Sequence, residues 1–142
     1  MTRREIREQL FVLLFQKEFY GEKSFEEQKE TYFDNCSMEE EDKQYIAGRL
    51  QKILDVQEAV DEAIAGHSIG WKIDRIGKEE LAILRLAVYE ALYDDDIPVG
   101  VAVNEAVELG KKYGAEGGAS FINGVLGKIV NKGQTEGKEP GK

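Results

Sequence analysis

Residues 98–126 read PVGVAVNEAVELGKKYGAEGGASFINGVL, two apolar segments of helical spacing joined by a glycine-rich turn. Pro98 suits the start of a helix and Gly114 its C-terminal end, so the first segment predicts a helix over Val99–Tyr113. The second predicts a helix from about Gly118 to Val130 that buries Phe121, Ile122, Val125, Leu126 and Ile129. Asn104 and Asn123 fall inside these helices, although an Asn amide competes for backbone hydrogen bonds, and Gly124 costs about 1 kcal/mol against Ala. A requirement beyond local propensity is expected at these positions: amides that fix helix ends or crossings, with Gly124 admitting close backbone approach.

The same spacing extends outward in both directions. Prolines occur only at positions 98 and 140, and no sustained two-residue alternation appears, which predicts an all-α fold. Three pairs, Thr2 with Glu5, Ser24 with Glu27, and Ser37 with Glu40, read as capping boxes that start helices. A first helix is expected over Arg3–Phe19, ending at Gly21, and a second near Phe25–Phe33. A long third helix follows, striped by Ile46, Leu50, Ile53, Val60 and Ile64, widened by Tyr45 and Leu54, and closed by Gly66. A short turn or helix around Ile69–Arg75 carries the only tryptophan, Trp71, and Leu81, Leu84, Val88 and Leu92 stripe a fifth helix that stops before Pro98. About seven helices are thus expected in one domain over residues 1–132, as an N-terminal bundle (about 1–67) packed on a C-terminal one (about 68–132). The glycine-rich, polar tail 133–142 is expected to be disordered.

A chain of 142 residues can bury a core without a staple, and its one cysteine, Cys36, has no internal disulfide partner. No apolar run approaches the ~20 residues of a membrane span, so a soluble cytoplasmic protein is expected. A net charge of −9 argues against nonspecific coating of nucleic acid, which depends on Lys and Arg neutralising phosphates. Positive charge is nevertheless concentrated locally, at Arg3, Arg4 and Arg7. Any nucleic-acid contact must be local as well.

The parts of an enzyme are missing. One histidine, His67, sits at a predicted helix end, where a capping cation is the economical reading; no nucleophile motif, phosphate loop or metal-ligand pair is present. Asp94-Asp95-Asp96 lacks the glycine-centred loop and distal Glu of a calcium site. No catalytic residue, cofactor or metal is expected. The first helix is different, because Arg4, Arg7, Phe11 and Phe15 share a face, and cations beside aromatic rings are how single-stranded RNA is held. Packing of those rings on a neighbouring helix is the alternative.

Several motifs in series then fix a resemblance. Trp71-Lys72-Ile73-Asp74-Arg75-Ile76-Gly77, Ile83-Leu84-Arg85-Leu86-Ala87-Val88-Tyr89-Glu90, Ile97-Pro98, Val101-Ala102-Val103-Asn104-Glu105-Ala106-Val107-Glu108-Leu109 and Phe121-Ile122-Asn123-Gly124-Val125-Leu126 resemble the NusB family of transcription antitermination factors in order and spacing. Arg3-Arg4-Glu5-Ile6-Arg7-Glu8 is similar to that family's arginine-rich first helix. The resemblance implies an all-α, two-bundle fold and a binding function. It implies recognition of single-stranded boxA RNA together with the ribosomal protein NusE, and through them assembly of the antitermination complex on RNA polymerase, notably in ribosomal RNA operons.

Carried onto this sequence, the implied RNA surface is Arg3, Arg4, Arg7, Phe15 and Phe121, with Phe15 standing where many relatives have Tyr. The turn 115–120 carries small residues where relatives often have longer polar ones, which implies fewer side-chain contacts near Phe121. The implied NusE contacts are Asp74 and Glu80, whereas Arg75, Arg85, Glu90 and Glu105 are expected to pair within the chain. Two alternatives stay open: a purely protein-binding adaptor or homodimer, and a fragment of an RNA cytosine methyltransferase, whose catalytic domain has no room in this length.

Overall fold

The computed structural model describes residues 1–68 and 72–131, apart from the side chains of residues 22 and 23. Trp71 and the tail 133–142 lie outside the described residues, and with them the expectations placed there. Among the described residues seven α-helices follow in order: α1 (Arg3–Tyr20), α2 (Glu22–Asn35), α3 (Glu40–Asp55), α4 (Gln57–His67), α5 (Lys78–Tyr93), α6 (Val99–Tyr113) and α7 (Gly118–Asn131). A 3-10 turn, Ile73–Arg75, precedes α5, and no strand occurs among the described residues.

Local chemistry sets several of these boundaries. Thr2 starts α1 as a complete capping box, its hydroxyl accepting from the Glu5 N–H at 3.1 Å while its own N–H donates to Glu5 Oε1 at 2.7 Å. The other two expected boxes are absent. Gly21, at φ 81°, ends α1 and begins α2 at once, which places Ser24 inside α2. At α3 the chain enters the helix at Glu39, two residues past Ser37, and no side chain caps that end.

The long third helix is in fact two. Val56 leaves helical geometry (φ −112°, ψ 13°) and its N–H donates back to the Ile53 carbonyl at 3.2 Å, closing α3 one residue before α4 begins. Ile46, Leu50, Ile53, Val60 and Ile64 are all buried on both sides of this break. An apolar stripe that continues in register through a bend leaves no mark of the bend in the sequence.

The core is organised around α5, against which α6, α1, α4 and α7 pack. Every residue from Glu80 to Ala91 is buried, where the stripe had predicted one buried face. A helix covered on all sides brings its polar residues inside, and these must find partners there. Arg85 does so bidentately with Asp61 of α4 (2.9 and 3.0 Å) and with Glu18 of α1 at 3.3 Å. At the other end of α5, Asp94 pairs with Arg49 of α3, whose guanidinium lies over the Tyr89 ring at 5.3 Å.

The glycine that lets α6 and α7 approach closely is Gly110, not Gly124. A Cβ on Gly110 would meet Ala119 Cα and Ile122 Cδ1 at 3.0 Å, whereas one on Gly124 would meet nothing within 4 Å. Asn104 and Asn123 also differ from expectation. Both are exposed and line a shallow groove between α6 and α7 with Val103 and Val107, because the buried stripe of α6 runs through Ala102, Ala106 and Leu109. His67 ends α4, its Nδ1–H donating to the Ala63 carbonyl at 2.8 Å.

Candidate nucleic-acid interface

The arginines of α1 have three different environments. Arg3 is exposed and makes no ion pair with another described residue; it lines a small cleft with Tyr45 and Arg49. Arg4 is exposed along its side chain but docks on α6, with Nε and Nη2 reaching the two oxygens of Glu105 at 3.0 and 2.7 Å. Arg7 is buried. Its Nε donates to both oxygens of Glu90 on α5 at 3.1 and 3.0 Å, and its Nη1 to Glu105 at 3.3 Å.

The three arginines expected on the RNA surface are therefore not alike: Arg3 is exposed, Arg4 is exposed but paired, and Arg7 is buried. Arg7, one helical turn on from Arg3 and Arg4 and facing inward, bonds both α5 and α6 and so braces α1 against them. Glu90 and Glu105 pair within the chain as expected, and so does Arg85. Arg75 makes no ion pair with another described residue: it is exposed and lines a cleft beside Phe121.

The carboxylates respond to these partners. Hydrogen bonding from Arg4 holds the Glu105 carboxyl below the usual carboxylate range, whereas burial pushes Glu90 above it despite Arg7. One turn along α1, Glu8 accepts from both Lys112 Nζ (2.5 Å) and Tyr113 Oη (2.7 Å) of α6 and is likewise held low by those hydrogen bonds. Arg4, Arg7, Lys111 and Lys112 thus share one cleft of about 360 Å³ with Glu8, Glu105 and Glu108.

An aromatic row leads out of that cleft. Phe11, Phe15 and Phe19 stack at successive turns of α1, with centroids 6.3 and 6.2 Å apart, and Tyr113 covers Phe11 at 4.8 Å. Exposure rises along the row: Phe11 is buried, Phe15 half-buried, and Phe19 is 61% exposed. Tyr113, Lys112 and Phe19 were not singled out from the sequence. The run Lys111-Lys112-Tyr113 repeats on α6 the cation and ring combination of α1, and that was the signal available.

Phe121 stands elsewhere, in a second cleft lined by Arg75, Gly77, Glu80, Ala115 and Gly118. The expected RNA residue Phe121 and the expected partner residue Glu80 therefore share one cleft. Glu80 is 6% exposed rather than a solvated acid, and its Oε2 accepts from the Ala115 N–H at 2.8 Å, tying the first turn of α5 to the loop before α7. Its carboxylate fills the space where Cβ atoms on Gly77, Gly114 and Gly118 would sit. The small residues of this turn are thus fitted around Glu80. Asp74, in the 3-10 turn, is exposed. Among the described residues no group of His, Cys, Asp and Glu side chains converges in a way that could hold a metal, and no helix is long and apolar enough to cross a membrane.

Comparison with known proteins adds a family. A model of the NusB family matches residues 4–131. The chain is 48% identical over 132 residues to a transcription antitermination protein NusB of Lachnoclostridium phytofermentans, covering 92% of this chain and 100% of that one. Among solved structures it is similar to T. maritima NusB, with TM-score 0.80 at 29% identity, covering 93% of this chain and 92% of that one. It is also similar to a chain in a crystal structure of antitermination factors NusB and NusE in complex with dsRNA, with TM-score 0.74 at 28% identity and coverage of 92% and 96%.

Proposed function

Because this chain belongs to the NusB family, we propose that it is a transcription antitermination factor that binds boxA-type single-stranded RNA together with NusE and helps assemble the antitermination complex on RNA polymerase. The role is one of binding in the cytoplasm, without a catalytic step. The observation that carries this reading is the α1 surface, where Arg4 shares a face with a row of rings and Arg3 stands exposed one position away, on a chain whose net charge is −9. Rings that are partly exposed beside cations suit unpaired bases and their phosphates.

Within this reading Arg3 and Arg4 meet phosphates, Phe15 and Phe121 offer stacking faces, and Arg7 acts by holding α1 in place. Asp74 is the exposed acceptor for basic residues of NusE. Glu80, with one oxygen engaged by Ala115, presents its remaining acceptor capacity to the cleft that also holds Phe121.

The test is an anisotropy titration of a boxA oligoribonucleotide with the protein alone and with NusE of the same organism. Binding should tighten with NusE, and Phe15→Ala and Phe121→Ala should each weaken it by about 1–3 kcal/mol, the loss of one base-stacking contact. A complex indifferent to RNA, or a homodimer whose formation RNA does not affect, would refute the proposal and favour a purely protein-binding role.

A further inference from the structure

The α1–α6 cleft is a site whose cations are already occupied. Lys112 donates to Glu8, as does Tyr113, and Arg4 is bidentate on Glu105. The donors are exposed and the acceptors are largely covered: Arg4 and Lys112 side chains are 68% and 61% exposed, Glu105 and Glu8 only 12% and 23%. Exposed ion pairs of this kind are weak and screened by salt, whereas an RNA phosphate that takes the cation also releases its counterions. Tyr113 joins the cleft to the aromatic row: its hydroxyl bonds Glu8 of the cleft wall and its ring covers Phe11 at the inner end of the row.

We propose that the α1–α6 cleft is an extension of the RNA-backbone site in which Lys112 and Tyr113 contact RNA, and in which Glu8 and Glu105 occupy the places of phosphates until RNA displaces them. The inference rests on the RNA-binding reading above and adds to it two contact residues and a built-in competitor. Carboxylate and phosphate offer the same kind of acceptor to the same donors, so the exchange needs no rearrangement of the helices, only rotation of two exposed side chains. The competition sets a threshold: an anion must outbid a carboxylate already in place. A single-stranded polyanion that presents successive phosphates can do so at both positions. A lone surface carboxylate from elsewhere offers only what is already there.

Glu8→Gln and Glu105→Gln keep the shape of each side chain while removing its charge. In the titration with NusE, each should tighten RNA binding about two- to fivefold, the range of an exposed pair given up on binding. Each should also steepen the slope of log affinity against log salt by about 0.7, one more uncompensated cation on a single strand. Lys112→Ala in the Glu8→Gln background, and Arg4→Ala in the Glu105→Gln background, should abolish the gain. Circular dichroism melts check that the variants are folded. Unchanged or weaker binding by both glutamine variants, while the wild-type complex binds RNA, overturns the competitor and leaves the functional reading intact. Failure of the wild-type complex to bind RNA overturns both.

Discussion

Removing the Arg7 guanidinium, as in Arg7→Ala, should be among the most damaging single changes on α1. Arg7 and Glu90 side chains are 8% and 4% exposed, and Arg7 makes three hydrogen bonds to Glu90 and Glu105. Its loss leaves the Glu90 carboxylate buried beneath α1 without its main partner. Breaking a buried pair from one side costs about 3–5 kcal/mol. That is a large share of the roughly 5–15 kcal/mol by which domains are stable, and at this size it lowers Tm by about 10–15 °C.

The deficit should depend on pH in a definite direction. Burial already raises the Glu90 pKa above its unfolded value, and removing Arg7 takes away the largest of the influences that oppose that shift. A carboxyl with a raised folded pKa contributes stability that is fully present below its unfolded pKa of about 4.3 and is lost as pH rises through the folded pKa. The Tm gap between wild type and Arg7→Ala, measured by differential scanning calorimetry, should therefore widen from pH 5 toward pH 7.5. Arg7→Met with Glu90→Met, which removes both charges, should recover most of the loss. A fall of less than about 3 °C in the single variant, or a double variant less stable than both singles, would refute the strut assigned to Arg7.

Three smaller effects test other parts of the fold. Thr2→Ala should cost about 1 kcal/mol in chemical denaturation by leaving the Glu5 N–H without its cap. Gly114→Ala should destabilise by about 1–3 kcal/mol, since its Cβ would lie 2.7 Å from the Gly110 carbonyl oxygen and 2.8 Å from Glu80. Gly124→Ala, with nothing within 4 Å, should instead stabilise by about 0.4–1 kcal/mol through reduced freedom of the unfolded chain. Melting temperatures that move in the same direction for both glycines would contradict the packing described for α6 and α7.

Signals confined to neighbouring residues were legible in the sequence. Pro98 and Gly114 fix the ends of α6, and the bounds expected for it, Val99–Tyr113, are those observed. Thr2 and Glu5 likewise set the start of α1. What the sequence concealed depends on partners far along the chain. Nothing near Arg7 distinguishes it from Arg4, because burial comes from α5 lying beneath one and not the other. Glu80 reads as a surface acid until α6 and α7 fold the Ala115 amide onto it. The Val56 break was hidden for a different reason, since the apolar stripe keeps its phase through it. Ser24 and Ser37 met the composition of a helix start while the chain began its helices elsewhere.

The partners of Arg7 lie 83 and 98 residues downstream of it. During synthesis, at about 5–20 residues per second, the N-terminal helix therefore waits roughly 4 to 20 s for the carboxylates that dock it. The same helix must also wait for α5, which covers its apolar side. α1 thus leaves the ribosome well before the acids that seat Arg7, and a chain stopped before residue 90 lacks both of them.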